Sequence, residues 1–302
     1  MLLENVLQEY LFDCQLRKLS VRTIKSVRNN NQRFFQYLAK EFAIFKLEEV
    51  KRVHIQAYVN YLSEVGRKES YINNIIKSFR ALFVYCEQEE YIKESPMKKV
   101  KFQKEEITLI ETFTDDEVRK MISFYCGKTF LDIRNRFVIV LLLDAGIRNS
   151  ELCDIKMEDL SDSAIRIHGK GKKIRFVPMT PSINKVLLKY LRSREKYIKD
   201  KLNYQEEYLF LSQKGKRLTP ETVQRVVRDC GMSCDIRNEI RCSPHTFRHY
   251  YSQTQLKNGC DIFVVSKLLG HSNINITKRY LNSMRDEDVL EMGQKTSPLR
   301  NL

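Results

Sequence analysis

Apolar positions recur at helical spacing along most of the chain. Leu2, Val6, Tyr10 and Leu11 mark a first amphipathic helix, and Ser20 is placed to cap a second whose inward face reads Val21, Ile24, Val27, Phe34, Phe35 and Leu38. Ile55, Tyr58, Val59 and Leu62 form the stripe of a third. A fourth turns Ile72, Ile75, Ile76, Phe79, Leu82 and Phe83 inward and Asn73, Asn74, Lys77 and Arg80 outward. Pro96 then interrupts the pattern within IKESPMKKVKFQKEE, and Thr114 with Glu117 makes a capping box that opens a new helical run. The pattern predicts a helical domain over residues 1–91, a linker over 92–106 and a second domain over 107–302.

In the second domain Phe137–Leu143 is apolar without interruption, as for a helix buried all round, and it ends in DAGIRNSEL, where Gly146 stops it. The period then changes to two: Ile165 and Ile167 alternate with Arg166 and His168, and Ile174–Val177 follows the lysine-rich turn Gly169-Lys170-Gly171-Lys172. This predicts a β-hairpin. Thr180-Pro181, Thr219-Pro220 and Ser243-Pro244 each read as an N-cap followed by a first-turn proline. Ile262, Val264, Val265, Leu268 and Leu269 form a stripe that Gly270 closes, and Ile276 and Tyr280 share one face of a last short helix. Beyond it, the tail 283–302 offers Val289, Leu290 and Met292. The fold class expected is mainly α with a small β-sheet.

Composition adds a partner. The 302 residues include only 10 Gly and 6 Pro, in keeping with a mostly helical chain, and the net charge is +15. An excess of this size, spread along the chain, favours a polyanion, with nucleic acid ahead of membrane. Two helix faces mix Arg, Lys, Asn and Thr with hardly any acid: Arg22, Thr23 and Lys25 on one, Lys77 and Arg80 on the other. Such faces suit phosphate and base-edge contacts in a major groove. Lys98 and Lys99, with Lys93, Lys101 and Lys104, give the linker the charge of a strap along a DNA backbone. Five of the eight cysteines are scattered among apolar helical residues. Cys230, Cys234 and Cys242 cluster without the paired spacing of a zinc site, so free thiols and no metal are expected. No stretch reads as a signal peptide or a membrane span, which points to a cytoplasmic protein.

The candidate chemistry lies in SPHTFRHYYSQTQLKNGCDIFVVSKLLGHSNINITKRYLN, residues 243–282. His245 and Arg248 fall one helical turn apart, His271 stands just past a helix end, and Tyr280 follows. Imidazole and guanidinium groups can hold the non-bridging oxygens of a phosphodiester while a tyrosine hydroxyl attacks phosphorus, giving phosphoryl transfer through a covalent tyrosyl intermediate. Arg148, in the turn after the buried helix, is either a structural ion-pair partner or a rigidly mounted phosphate clamp. The lysines of the hairpin tip are either solvated or able to reach a groove and protonate a leaving oxygen.

Arg148 in AGIRNSEL, Lys170 in GKGKK, His245 and Arg248 in HTFR, LLGH ending at His271 and TKRY ending at Tyr280 stand in the order and spacing of a tyrosine recombinase. Over residues 1 to 290 the chain resembles the phage-integrase family, nearest its simple Xer-like members. The resemblance implies a two-domain C-shaped clamp: a helical core-binding domain and an α+β catalytic domain. It implies Tyr280 as nucleophile, Arg148 and Arg248 as phosphate clamps and Lys170 as the acid on the 5′ leaving oxygen, with Lys172 and Lys173 near the same tip. His245 would be an acid–base and phosphate ligand, and His271 a further phosphate ligand. The product would be a 3′-phosphotyrosyl link, formed without metal or other cofactor. The implied partners are double-stranded DNA with an inverted-repeat core site and three further copies of the chain, a homotetramer on two sites. The implied source is a bacterium, phage or mobile element. Asn149 departs from the apolar residue common after the arginine. Tyr250 and Tyr251 abut the His245–Arg248 turn and are expected to pack it. A type IB topoisomerase shares this chemistry, and a DNA-binding protein without catalysis is the rival of another class; the LLGH block, the tail and the full set of ionisable groups favour the recombinase.

Overall fold

The capping signals hold wherever they can be checked. In a computed structural model describing residues 1–106, 109–169, 173–199, 207–284 and 286–295 (side chains at 291, 292 and 295 excepted), Ser20 accepts from the Thr23 amide. Thr114 and Glu117 close a reciprocal capping box, and Thr219 and Ser243 cap helices whose first turns hold prolines. The chain divides into two compact units, Met1–Ile107 and Thr108–Leu302.

The first unit contains α1 (Leu3–Leu16), α2 (Val21–Phe42), α3 (Arg52–Glu64) and α4 (Glu69–Gln88). Their apolar stripes meet in one cluster, with Val6, Leu7, Phe34, Leu38, Ile55, Phe79 and Phe83 fully enclosed and the Phe34 and Phe79 rings 4.4 Å apart between centroids. Two expectations fail here. Val21, the first residue after the cap of α2, is 85% exposed and lies outside the cluster, so an apolar residue in the right phase finds no element across from it. Asn73 is buried rather than solvated. Its amide donates to Gln103 O at 2.9 Å and Glu105 Oε1 at 2.8 Å, and its oxygen accepts from Gln103 N at 2.8 Å. The segment after α4 is therefore tied down: Met97 and Val100 join the core, Arg80 donates to Val100 O at 2.9 Å and stacks on Phe102, and Lys98 pairs with Glu87 at 3.1 Å.

The second unit is built around α6 (Phe130–Ala145), which follows α5 (Asp115–Phe124) and is apolar on nearly every side. Next come α7 (Asn149–Asp154), then β1 (Ala164–His168) and β2 (Ile174–Pro178), paired antiparallel with Ile165 opposite Val177 and Ile167 opposite Arg175. Ile165, Ile167 and Val177 face the core, while Phe176 is exposed. Five helices complete the unit: α8 (Pro181–Lys199), α9 (Pro220–Ser233), α10 (Pro244–Lys257), α11 (Ile262–Leu269) and α12 (Asn275–Leu281). A sixth, α13 (Asp286–Lys295), ends the described chain. α6 packs against α8 and α10, and α10 against α11 and α12. Mostly helical with one two-stranded sheet among the described residues, the fold agrees with the pattern-based expectation. The stripe of α11 is narrower than expected: Val265, Ser266 and Leu269 are buried, while Val264 is exposed.

Candidate active site

Two helix ends create the site. α6 and α11 both stop at a glycine in the left-handed conformation, Gly146 at φ 56° and Gly270 at φ 64°. A Cβ on Gly146 would run into the Tyr251 ring, and one on Gly270 would lie 3.1 Å from Arg175 Cδ. A helix that ends in this way leaves carbonyls unpaired at the negative end of its dipole, and three arginines take them. Arg248 on α10 donates to Gly146 O at 2.8 Å and to Leu269 O at 2.7 Å. Arg175 on β2 donates from Nε to Leu268 O at 2.8 Å, and Arg148 reaches Gly270 O at 3.3 Å.

Glu151, buried in the first turn of α7, joins two of these cations. It accepts from Arg148 Nη1 at 2.7 Å and from both terminal nitrogens of Arg175, at 3.0 and 2.7 Å. Burial alone would raise its pKa, but Arg175 and then Arg148 hold it at about 2. Among the described residues no carboxylate is bonded to Arg248. Burial, then the charge of Arg148, pushes it down to about 10, so it is a cation at neutral pH held by carbonyl dipoles. An arginine fixed by one part of its fork leaves other donors for a ligand.

The remaining groups come from α10 and the stretch after α11. His245 is exposed in the first turn of α10, and His249 sits one turn on with its ring 4.2 Å away. His271 follows Gly270, its Nδ1 2.8 Å from the buried Thr277 hydroxyl. Tyr280, 3% exposed, carries its hydroxyl 3.0 Å from His249 Nδ1. Desolvation and the nearby cations lower the pKa of all three imidazoles, to about 4 for His249 and His271. Burial raises the Tyr280 phenol, opposed by Ser252 and by Arg248, Arg279 and Arg148.

The structure thus brings Arg148, His245, Arg248, His271 and Tyr280 to one place. Lys170 and Lys172 lie outside the described residues. On either side of them Gly169 N donates to Lys173 O at 2.7 Å, and Gly169 adjoins Glu151 and Arg175. Tyr251 packs under Gly146, and Tyr250 donates to Asp115 at 2.7 Å. Glu151, Arg175 and His249 were not singled out from the sequence. The available signals were a carboxylate three residues after Arg148, an arginine facing inward on a strand, and a histidine one turn after His245. Among the described residues no group of three or more His, Cys, Asp or Glu side chains can hold a metal, and no helix is long and apolar enough to cross a membrane.

Residues 111–287 match the phage integrase family model, which spans nearly all of the arginine cluster's framework. The chain belongs to the phage integrase family. Over 291 residues it is 32% identical to a tyrosine recombinase of Pseudothermotoga lettingae, covering 94% of this chain and 96% of that one. With tyrosine recombinase XerC of Thermodesulfovibrio yellowstonii it shares 29% identity over 283 residues, 93% and 91% of the two chains. The fold is also that of XerH site-specific recombinase, solved bound to a palindromic difH substrate as a post-cleavage complex. There the TM-score is 0.74 at 21% identity, with 93% and 81% of the chains covered. Family membership makes the chain a DNA strand-transfer enzyme of the tyrosine recombinase type.

Proposed function

We propose that this site-specific recombinase cuts and rejoins DNA with Tyr280 as nucleophile, Arg148 and Arg248 as the clamp on the scissile phosphate, and Lys170 as the acid on the 5′ leaving oxygen. His245 and His271 bind the non-bridging oxygens. The observation that carries this reading is the anchoring of Arg148 and Arg248 on the carbonyl ends of α6 and α11, next to the Tyr280 and His271 side chains. Fixed cations of this kind stabilise the charge of a phosphorane without reorganising during the reaction. The first unit would contribute contacts to duplex DNA through the exposed Arg22, Thr23, Lys25 and Lys77, and Lys99 would add another; Arg80 and Lys98 are already engaged within that unit. The substrate would be an inverted-repeat core site, and four copies of the chain would join two such sites in the cytoplasm of a bacterial cell.

A nicked substrate traps the covalent stage. With cognate DNA, the wild-type protein is expected to give a gel-stable protein–DNA adduct that Tyr280→Phe does not form. An adduct in Tyr280→Phe would place the nucleophile elsewhere, with Tyr250 and Tyr251 the next to be tested.

A further inference from the structure

The hydroxyl proposed as nucleophile is neither free nor facing solvent. Tyr280 is buried, and the nearest ionisable partner bonded to its oxygen is His249, whose Nδ1 lies 3.0 Å away. We infer that His249 is the proton acceptor for Tyr280 during strand cleavage and returns that proton during rejoining. This rests on the reading of Tyr280 as nucleophile and assigns a role to a residue outside the expected set.

Geometry comes first. The separation is that of a general base on the group it deprotonates. It is set by two helices, α10 presenting His249 and α12 presenting Tyr280, packed against each other with the rings 5.5 Å apart. His245 also touches the His249 ring, with centroids 4.2 Å apart, and is open to solvent. The two histidines therefore have different positions: His245 at the exposed edge where a phosphate would arrive, His249 behind it on the tyrosine.

The protonation states agree with the roles. Burial raises the phenol pKa, so Tyr280 does not ionise without an acceptor in contact. The groups facing the pair are His245 and Arg248 from α10, Arg279 from α12 and Arg148 ahead of α7, with the Ser252 hydroxyl nearby. Burial, His245 and Arg248 keep His249 neutral at neutral pH, with the Nδ1 lone pair available to the phenol O–H. A phosphodiester bound to Arg148 and Arg248 would offset the cations that depress His249, and its proton affinity would rise once substrate is in place.

The step balances within the chain. As the tyrosyl oxygen bonds to phosphorus, its proton moves to His249 Nδ1; the bond to the 5′ oxygen breaks, and that oxygen takes a proton from the lysine acid. In rejoining, the 5′ hydroxyl attacks phosphorus as its proton returns to the lysine, the tyrosyl–phosphorus bond breaks, and the phenolate recovers its proton from the imidazolium.

The test uses single-turnover cleavage of a nicked core site by full-length His249→Asn, His249→Ala, His245→Asn and Tyr280→Phe. Asparagine can accept the phenol hydrogen bond from nearly the same position but takes no proton at neutral pH. The inference expects His249→Asn to bind DNA and melt as the wild type does, yet cleave about 10²–10⁴-fold more slowly. Its acid limb in the pH–rate profile should be gone, with the residual rate climbing with pH. Replacing Tyr280 with a fluorinated, more acidic tyrosine should recover more of the rate in His249→Asn than in the wild type. Wild-type cleavage by His249→Asn overturns the inference and makes His249 a hydrogen-bonding prop. Loss of the acid limb in His245→Asn, with the limb kept in His249→Asn, overturns it in favour of His245. An adduct in Tyr280→Phe would instead bring down the nucleophile assignment itself, a result separate from either.

Discussion

Arg175 and Glu151 meet fork to fork, with bonds of 3.0 and 2.7 Å between side chains only 10% and 5% exposed. Arg175 also donates to Leu268 O, so one guanidinium ties β2 to α7 and to the end of α11. Arg175→Ala leaves the buried carboxylate with Arg148 alone and is expected to destabilise the second unit by about 3 kcal/mol, read by denaturant unfolding. Arg175→Lys should recover only part of this, since an ammonium cannot bond both oxygens and Leu268 O together. A loss below about 1 kcal/mol in Arg175→Ala would mean that Arg148 alone satisfies Glu151.

Acid should weaken this unit in two stages. His249 and His271 have folded pKa values near 4, below the usual histidine value of about 6.5. The unfolded chain therefore binds more protons between those values, and stability present above about pH 6.5 is lost as pH falls toward 4. Glu151, held at about 2, adds a contribution that is complete above its unfolded value of about 4.3 and lost as pH falls through 2. Melting temperature against pH should show both falls, with the upper one shallower in His271→Asn. A flat profile from pH 7 to 4 would show that neither imidazole is held neutral.

Lys170 is expected to protonate the 5′ leaving oxygen. A 5′-phosphorothiolate leaves without a proton, so it should restore cleavage to Lys170→Ala, which should be slow on ordinary DNA. Rescue of Lys172→Ala in its place would move the role two residues along the tip.

The tail should matter to assembly and not to binding. Val289 and Leu290 on α13 are 54% and 68% exposed, while Asp288 pairs with Lys257 on α10 at 2.9 Å. Exposed apolar side chains on a helix tied to α10 suit docking into a second copy of the chain. Deleting residues 286–302 is expected to leave single-site binding intact and to abolish pairing of sites and recombination, each assayed separately. Normal recombination by the truncated protein would assign the segment to packing alone.

Period and capping chemistry made the helices and the hairpin legible, because both are local. The family resemblance named Arg148, His245, Arg248, His271 and Tyr280 together, and the fold brings these side chains near one another. Burial is not local: Val21 and Val264 fall in the apolar phase of their helices, yet nothing covers them, and Asn73 falls in the polar phase, yet a returning segment covers it. The same limit hid the supporting residues. Glu151 meets Arg175, and His249 meets Tyr280, only when elements distant in sequence close on each other. Neither pair leaves a signature in spacing.

Gly270 divides the carbonyls that anchor two arginines from the chain that carries the tyrosine. On its α11 side, the Leu268 and Leu269 carbonyls hold Arg175 and Arg248. On its other side, the chain runs on through His271 and Thr277 to Tyr280 and then α13. Arg175 and Arg248 are thus bonded to carbonyls ahead of Gly270 while His271 and Tyr280 lie beyond it, so one left-handed residue sets the angle between the anchors of the cations and the helix that carries the tyrosine.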